Sequence, residues 1–398
     1  MIAGREARRA DRRAGGPGAK MGRVALVGAG PGDPSLLTLR AAELLRVADA
    51  VAHDELVSEA VLAMVPARAA LFSVGRRAGQ GTLAHRLHPE VLSRARRGEL
   101  VVRLKAGDPL VFGRGGEEAA ELAEEGIPFE IVPGITAALG AAAYAGVPLT
   151  HRDHSARIVV ASGHRGDGGL PPRAVVGEAT LVLYMASKDL AANLGAAVAS
   201  GWEPSTPAAL IASATNPDER IVRGTLATLA DDAARAGVPL PRQASLLVVG
   251  DVVRALVDWR GRLLLRDRRV VVARLRDGHS EAARTLRDAG ATVSELPLAG
   301  PARWPAGVDV VVLPSASAAT ALYMCAPSWI RHAPAVALGE GASAAAVRAG
   351  AFDVWTVSDD DLGAIAPATA ALLATCDGRA RDRPMRADAA GDAKEASP

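Results

Sequence analysis

Two glycine-rich segments bring together the residue types best suited to holding a backbone close to a ligand. The first is GAGPGD, residues 28–33, and the second is RLKAGDPLVFGRGGEE, residues 103–118. Glycine tolerates backbone angles and close approaches that a side chain forbids, so loops of this kind form tight strand-to-helix turns and ligand cradles. In the first segment the glycines stand at 28, 30 and 32, and Asp33 occupies the place where a dinucleotide fingerprint needs a third glycine or alanine. Pro31 interrupts that fingerprint, and no GK[ST] follows, so neither an ordinary dinucleotide fold nor a phosphate-binding loop is expected. A third segment, IVPGITAALGAAAYAGVPLTHR (131–152), sets Pro133-Gly134 before a run of small residues that would pack closely on a backbone or a flat cofactor. Other chemistries find little support. The pairs His85/His88 and His151/His154 lack a cysteine partner or the zincin glutamate pattern, so no metal is expected. Ser315, Ser317, Cys325 and Cys376 sit in no nucleophile elbow.

The elements that must carry these loops are short apolar strands alternating with helices. Val24–Val27 reads as a strand, with Asp33 capping and Pro34 opening a helix that runs to about Leu45 and buries Leu37, Ala41 and Leu44. Further strands are expected at Ala50–Ala52, Leu100–Leu104, Phe129–Val132, Arg157–Ala161, Thr180–Leu183, Ala209–Ser213 and Ser245–Val249. Helices are expected at Glu117–Glu125, Thr136–Ala145 and Val252–Asp258. The second loop follows an apolar strand, the place where open α/β sheets bind ligands. A fresh α/β pattern follows: strands at Arg269–Ala273, Thr292–Leu296, Val308–Leu313, Ala335–Leu338 and Phe352–Val357, with a helix over His279–Ala289. The expected divisions are a disordered extension (1–21), a first lobe (22–154), a second lobe (155–260), a small α/β domain (265–376) and a disordered tail (377–398).

Composition narrows the class without selecting a reaction. The chain has 398 residues, 49% of them hydrophobic and 23% charged, enough for several buried cores. Its formal net charge of +2 and 3% aromatic content argue against a nucleic-acid partner. Two cysteines without pattern suit a reducing, cytoplasmic setting. No apolar run is long enough to span a bilayer, and the basic start lacks a signal-peptide core; Met21 could serve as an alternative start.

The order of VGAGPGDPSLLTLRAAELLRVADAVAHDELV, VVRLKAGDPLVFGRGGEEAAELAEEGIPFEIVPGITAALGAAAYAGVPLTHR and LVLYM resembles uroporphyrinogen-III C-methyltransferase, of the tetrapyrrole methylase superfamily, over roughly residues 22–258. The resemblance implies an α/β protein whose two-lobed tetrapyrrole methylase fold binds S-adenosylmethionine between the lobes, without a metal. It implies a homodimer that methylates uroporphyrinogen III at C2 and C7, giving precorrin-2 through precorrin-1, for sirohaem or cobalamin synthesis. Cofactor contacts carried over from it fall on Pro31, Ala106, Gly107, Asp108, Val111, Thr136, Ala137, Met185 and Ala214. The catalytic carboxylate falls on Asp54 of HDELV, at a strand end, where it could serve as acid/base.

Three positions depart from the family pattern. Ala106 stands where GGD has its first glycine, Ala214 replaces a glycine of some members, and Arg76 in VGRRAG replaces a lysine proposed as proton donor. A guanidinium is a poor general acid, so Arg76 is assigned to holding a substrate carboxylate or polarising the ring. Arg40, Arg77, Arg114 and Arg152 are further candidates for the polycarboxylated substrate. Another corrin-pathway C-methyltransferase, or a non-enzymatic S-adenosylmethionine-binding regulator, is the alternative. Residues 269–375 more weakly resemble uroporphyrinogen-III synthase, in VVVARLRDGHSEAARTLRDAGATVSELPL, VDVVVLPSASAATALYMCAP and VALGEGASAAAVRAGAFDVWTV. That family uses two lobes and a cleft between them; one lobe's worth of elements is present, so synthase activity is not expected.

Overall fold

The computed structural model describes residues 21–75, 87–163, 170, 178–240, 244–275, 280–298, 304–305, 307–359 and 361–381. Its strands gather into three five-stranded sheets. The first contains β1 (Arg23–Gly28), β2 (Ala50–His53), β3 (Ala70–Ser73), β4 (Leu100–Lys105) and β5 (Phe129–Val132), in the order β3-β2-β4-β1-β5 and parallel throughout. Parallel strands with both faces covered are apolar along their whole length. Val24, Ala25, Leu26 and Val27 accordingly divide between the cores on the sheet's two faces. Helices α1 (Leu39–Val47), α2 (Glu59–Leu62), α3 (Pro89–Arg96) and α4 (Gly115–Glu124) accompany this sheet.

Helix α5 (Ala137–Ala145) follows β5 but packs elsewhere. Its Ala138, Ala141, Ala142 and Ala145 join Val182, Ile211, Leu246 and Val248 of the second sheet in one core. With alanine or glycine around most of its circumference, α5 can be covered on several sides. Pro31 of the first glycine loop lies against Gly140 so closely that a Cβ there would come 2.5 Å from the proline ring. The helix is thus wedged between the first loop and the second sheet.

The second sheet joins β6 (Ile158–Ser162), β7 (Thr180–Tyr184), β8 (Pro207–Ala212), β9 (Arg220–Thr225) and β10 (Ser245–Val249) in the order β6-β7-β10-β8-β9. Only the β6–β7 pair is parallel. Helices α6 (Leu190–Ala199) and α7 (Leu229–Arg235) lie with it. The third sheet is again fully parallel: β11 (Arg269–Arg274), β12 (Thr292–Pro297), β13 (Val310–Leu313), β14 (Ala335–Leu338) and β15 (Val354–Val357), ordered β12-β11-β13-β14-β15. Helices α8 (Glu281–Asp288), α9 (Ala316–Cys325), α10 (Ser328–Arg331), α11 (Gly339–Arg348) and α12 (Ile365–Arg381) accompany it, and each face has its own core.

Local structure departs from the sequence expectations in several places. The helix expected from Asp33 is two pieces: a 3₁₀ turn, Pro34–Leu36, capped by Asp33, and α1, whose cap is the Thr38 side chain accepting from the Ala41 amide. Two capping residues in succession restart the helix rather than extend it. Val252–Asp258 forms only a 3₁₀ turn, Asp251–Ala255. Residue 377 is no tail: α12 continues to Arg381, and Asp377 pairs with Arg268 at 2.5 Å. Strands β3 and β9 were not expected; both are sheet edges and lack a fully buried run. Among the described residues, no helix is long and apolar enough to cross a membrane.

Candidate functional site

Three loops leave the carboxyl ends of β1, β4 and β5 and are stapled together through their backbones. Gly30 and Gly107 exchange both amide bonds, at 3.1 and 2.8 Å. Asp108 accepts from the Gly134 amide at 3.0 Å and from the Leu110 amide at 2.8 Å, so its carboxylate ties the second loop to the third. A Cβ on Gly28 would lie 2.5 Å from the Gly134 nitrogen and 2.7 Å from the Gly107 oxygen. Gly107 has φ +68°. Gly28 is therefore required by close approach and Gly107 by its backbone angle. Ala106 is not among the described residues with positive φ, so its extra methyl group meets no backbone penalty.

The remaining cofactor candidates form a wall beside this staple. Val111, Ala137 and Ala214 pack on the core shared by α5 and the second sheet. The Tyr184 hydroxyl contacts Thr136 Oγ1 at 2.5 Å and accepts from the Ala138 amide at 2.9 Å, fixing the start of α5. Phe112 stacks at a tilt on Tyr184, with ring centroids 4.9 Å apart. Met185, half-exposed, follows Tyr184 with φ +56°. Phe112, Arg114, Met185, Ser213 and Thr215 all have positive φ, and all lie in or beside the segments bearing the candidates. A left-handed non-glycine residue costs about 1–3 kcal/mol and persists only where its surroundings over-determine it.

Asp54 begins the turn after β2, its amide bonded to Leu104 of β4 at 3.1 Å. Its carboxylate pairs with the guanidinium of Arg103. That guanidinium also contacts Glu118 at 3.2 Å, and Glu118 accepts from Lys105 at 2.9 Å. Arg103, Lys105 and Glu118 are at most 3% exposed, whereas the Asp54 side chain keeps 28%. Two cations and two anions thus form a balanced cluster with one carboxylate at its solvent edge. Burial, followed by the neighbouring Arg103 charge, lowers the Lys105 pKa, with Glu118 opposing. Sequence reading missed this cluster. Its signal was available: two basic residues at alternate positions of a strand flanked by apolar strands need buried partners.

The arginine candidates are scattered. Arg40 is on the outer surface of α1, bonded to Glu130 at 3.0 Å and to Glu43 at 3.3 Å. Arg114, within the second loop, stands at the start of α4 with φ +56°. Arg152 is exposed beside the His151–Ser155 bridge. Arg76 and Arg77 lie outside the described residues. Among the described residues no group of three or more His, Cys, Asp or Glu side chains could hold a metal.

Residues 23–230, more than half of the chain, match the family described as Tetrapyrrole (Corrin/Porphyrin) Methylases. The chain belongs to this family. A uroporphyrinogen-III C-methyltransferase from Sinorhizobium is 44% identical over 258 residues, 63% of this chain and 91% of the relative. A siroheme synthase from Aeromonas hydrophila is 47% identical over 61% of this chain, which spans only about half (52%) of that relative's length. The solved uroporphyrin-III C-methyltransferase of Thermus thermophilus, complexed with S-adenosyl homocysteine, is 39% identical with a TM-score of 0.50, covering 59% of this chain and 100% of the other. A cobalt-precorrin-4 methyltransferase is 30% identical with a TM-score of 0.51, over 60% of this chain and 98% of the other. The tetrapyrrole methylase fold expected from the motifs is confirmed, and an additional C-terminal region accompanies it. The family match ends at residue 230 and does not extend to the third sheet.

Proposed function

We propose that the chain is an S-adenosylmethionine-dependent C-methyltransferase that methylates uroporphyrinogen III at C2 and C7 to form precorrin-2 via precorrin-1. The observation that carries this reading is the convergence of Pro31, Gly107, Asp108, Val111, Thr136, Ala137 and Ala214 around one glycine staple and one apolar wall. The close backbone approaches suit a flat, polar cofactor held by main-chain groups, and Val111, Ala137 and Ala214 suit its apolar faces. When bound, S-adenosylmethionine supplies an electrophilic methyl group on a sulfonium. The protein's share is then alignment: Ala106-Gly107-Asp108 and Thr136 fix the loops, and Met185 borders them. Asp54 accepts the proton released by the alkylated ring, and the buried Arg103 orients its carboxylate. Arg76, Arg77, Arg114 and Arg152 hold substrate carboxylates; Arg40 is engaged by Glu130 and Glu43.

A homodimer is supported by exposed apolar residues at alternate positions of two edge strands, Phe129 and Ile131 on β5 and Ile158 and Val160 on β6. A cytoplasmic location is part of the same reading, supported by a sequence with only two, unpatterned cysteines. The third sheet is read, from the sequence resemblance alone, as one synthase-like lobe and is assigned a structural or regulatory role. Rapid conversion of hydroxymethylbilane to the III isomer by the full chain would overturn that assignment. The deciding experiment for the main reading is anaerobic incubation with uroporphyrinogen III and S-adenosylmethionine, followed by product mass and absorption. Two added methyl groups with a precorrin-2 spectrum are expected. A product methylated at other carbons would point to another corrin-pathway enzyme, and binding without methylated product to a regulator.

A further inference from the structure

A closed ring of contacts connects the first lobe, the second sheet and the connector to the third. The Asp33 amide donates to Thr215 Oγ1 at 3.1 Å, and the Thr215 amide donates to Glu219 Oε2 at 2.8 Å. Arg260 donates to Glu219 Oε1 at 2.8 Å, and its guanidinium lies over the Tyr144 ring, 4.5 Å from the centroid. The Tyr144 hydroxyl donates to Asp33 Oδ2 at 2.7 Å, which returns the ring to its start. Arg260 is 7% exposed and Glu219 1%, so the pair is shielded from solvent. Burial raises the Glu219 pKa, opposed by the Thr215 amide and Arg260.

Two of the ring's members adjoin the proposed methyl-donor site. Asp33 ends the loop that carries Pro31, and Thr215 directly follows Ala214. Thr215 is buried with φ +65°, a conformation a β-branched residue rarely adopts, and Glu219 holds it there. Gly32 sits against this turn; a Cβ on it would come 2.7 Å from Asn216 and 2.9 Å from Thr215 Oγ1. The distance between the two loops, which lie on different lobes, is therefore set by the ring.

Arg260 reaches the ring from outside both sheets. Its connector is anchored to the end of α5 by the Val257 amide on Gly146 O at 2.9 Å and by the Trp259 indole on Ala143 O at 2.7 Å. Farther along the same connector, Leu265 is fully buried in the third sheet's core. We propose that Arg260 is a positioning residue for the methyl-donor site: it closes the ring that holds the Pro31 loop against the Ala214 turn, and it ties that spacing to the seating of the third sheet. The proposal rests on the donor site assigned above.

The test uses the full chain and calorimetric titration with S-adenosylhomocysteine, comparing the parent protein with Arg260→Met, Tyr144→Phe and the double variant. Because both substitutions open one ring, their effects should not add. Kd is expected to rise about tenfold in Arg260→Met, and the double variant to be no weaker than Arg260→Met by more than about twofold. In turnover, KM for the methyl donor rises while kcat at saturation holds, and Arg260→Lys recovers part of the loss. A purely structural Arg260 would lower the melting temperature and leave Kd unmoved. If Arg260→Met does not fold, Tyr144→Phe, which deletes one oxygen and spares the ion pair, decides alone. Kd within about twofold of the parent in the folded variants, or additive losses, overturns the proposal. A parent protein that binds no S-adenosylhomocysteine overturns the donor-site assignment itself, and the proposal with it.

Discussion

Replacing Glu118 by glutamine removes the carboxylate that faces two buried cations. Arg103 keeps Asp54 and the carbonyls of Ala52 and Leu104, but Lys105 loses the negative charge of its 2.9 Å partner. Leaving a buried charge without its counter-ion costs about 3–5 kcal/mol at pH 7. The pH dependence has a definite sign. Burial and Arg103 already depress the folded-state pKa of Lys105 below that of a solvated lysine, and Glu118 opposes them, so its loss depresses the pKa further. A lysine with a depressed folded pKa binds more protons when unfolded, so stability rises with pH up to the unfolded value. The variant's deficit should therefore shrink between pH 7 and 10, by at most about 1.4 kcal/mol per pH unit. Hydrogen exchange read by mass spectrometry on peptides spanning β4 separates this sheet from the other two. A deficit under about 1 kcal/mol, or one that grows with pH, would refute the account of the cluster.

Asp54→Asn is expected to slow methyl transfer about 10²–10⁴-fold in a radiolabelled-methyl assay, with S-adenosylhomocysteine affinity nearly unchanged; unchanged turnover removes Asp54 from the mechanism. Gly134→Ala places a methyl group against the Gly107 carbonyl and Gly28, and should destabilise by about 1–3 kcal/mol while weakening cofactor binding. Gly116→Ala, in α4 with nothing within 4 Å of the added Cβ, should raise the melting temperature instead, by the helical preference of alanine, about 1 kcal/mol. Ala106→Gly restores the family residue but relaxes the unfolded chain, so a loss of about 0.4–1 kcal/mol is expected with donor affinity intact; a gain in stability would mean that Ala106 is strained.

The loops were legible along the chain because glycine spacing records backbone constraints directly. Gly28, Gly107 and Gly134 could be marked as positions of backbone constraint, although which of them touch one another could not. Most interior strands were legible for a similar reason, since burial on both faces demands a continuous apolar run. The edge strands β3 and β9 obey no such demand and passed unseen. The two-part start of α1 was missed because Asp33 and Thr38 are each sufficient caps, and local sequence does not rank them. The Asp54–Arg103–Glu118–Lys105 cluster draws on two strands and a helix, and the ring through Arg260 draws on both lobes and a connector. Such arrangements depend on the order of strands in a sheet and on where α5 is wedged. Those are decided by packing among distant segments, which leaves no period or spacing in the sequence.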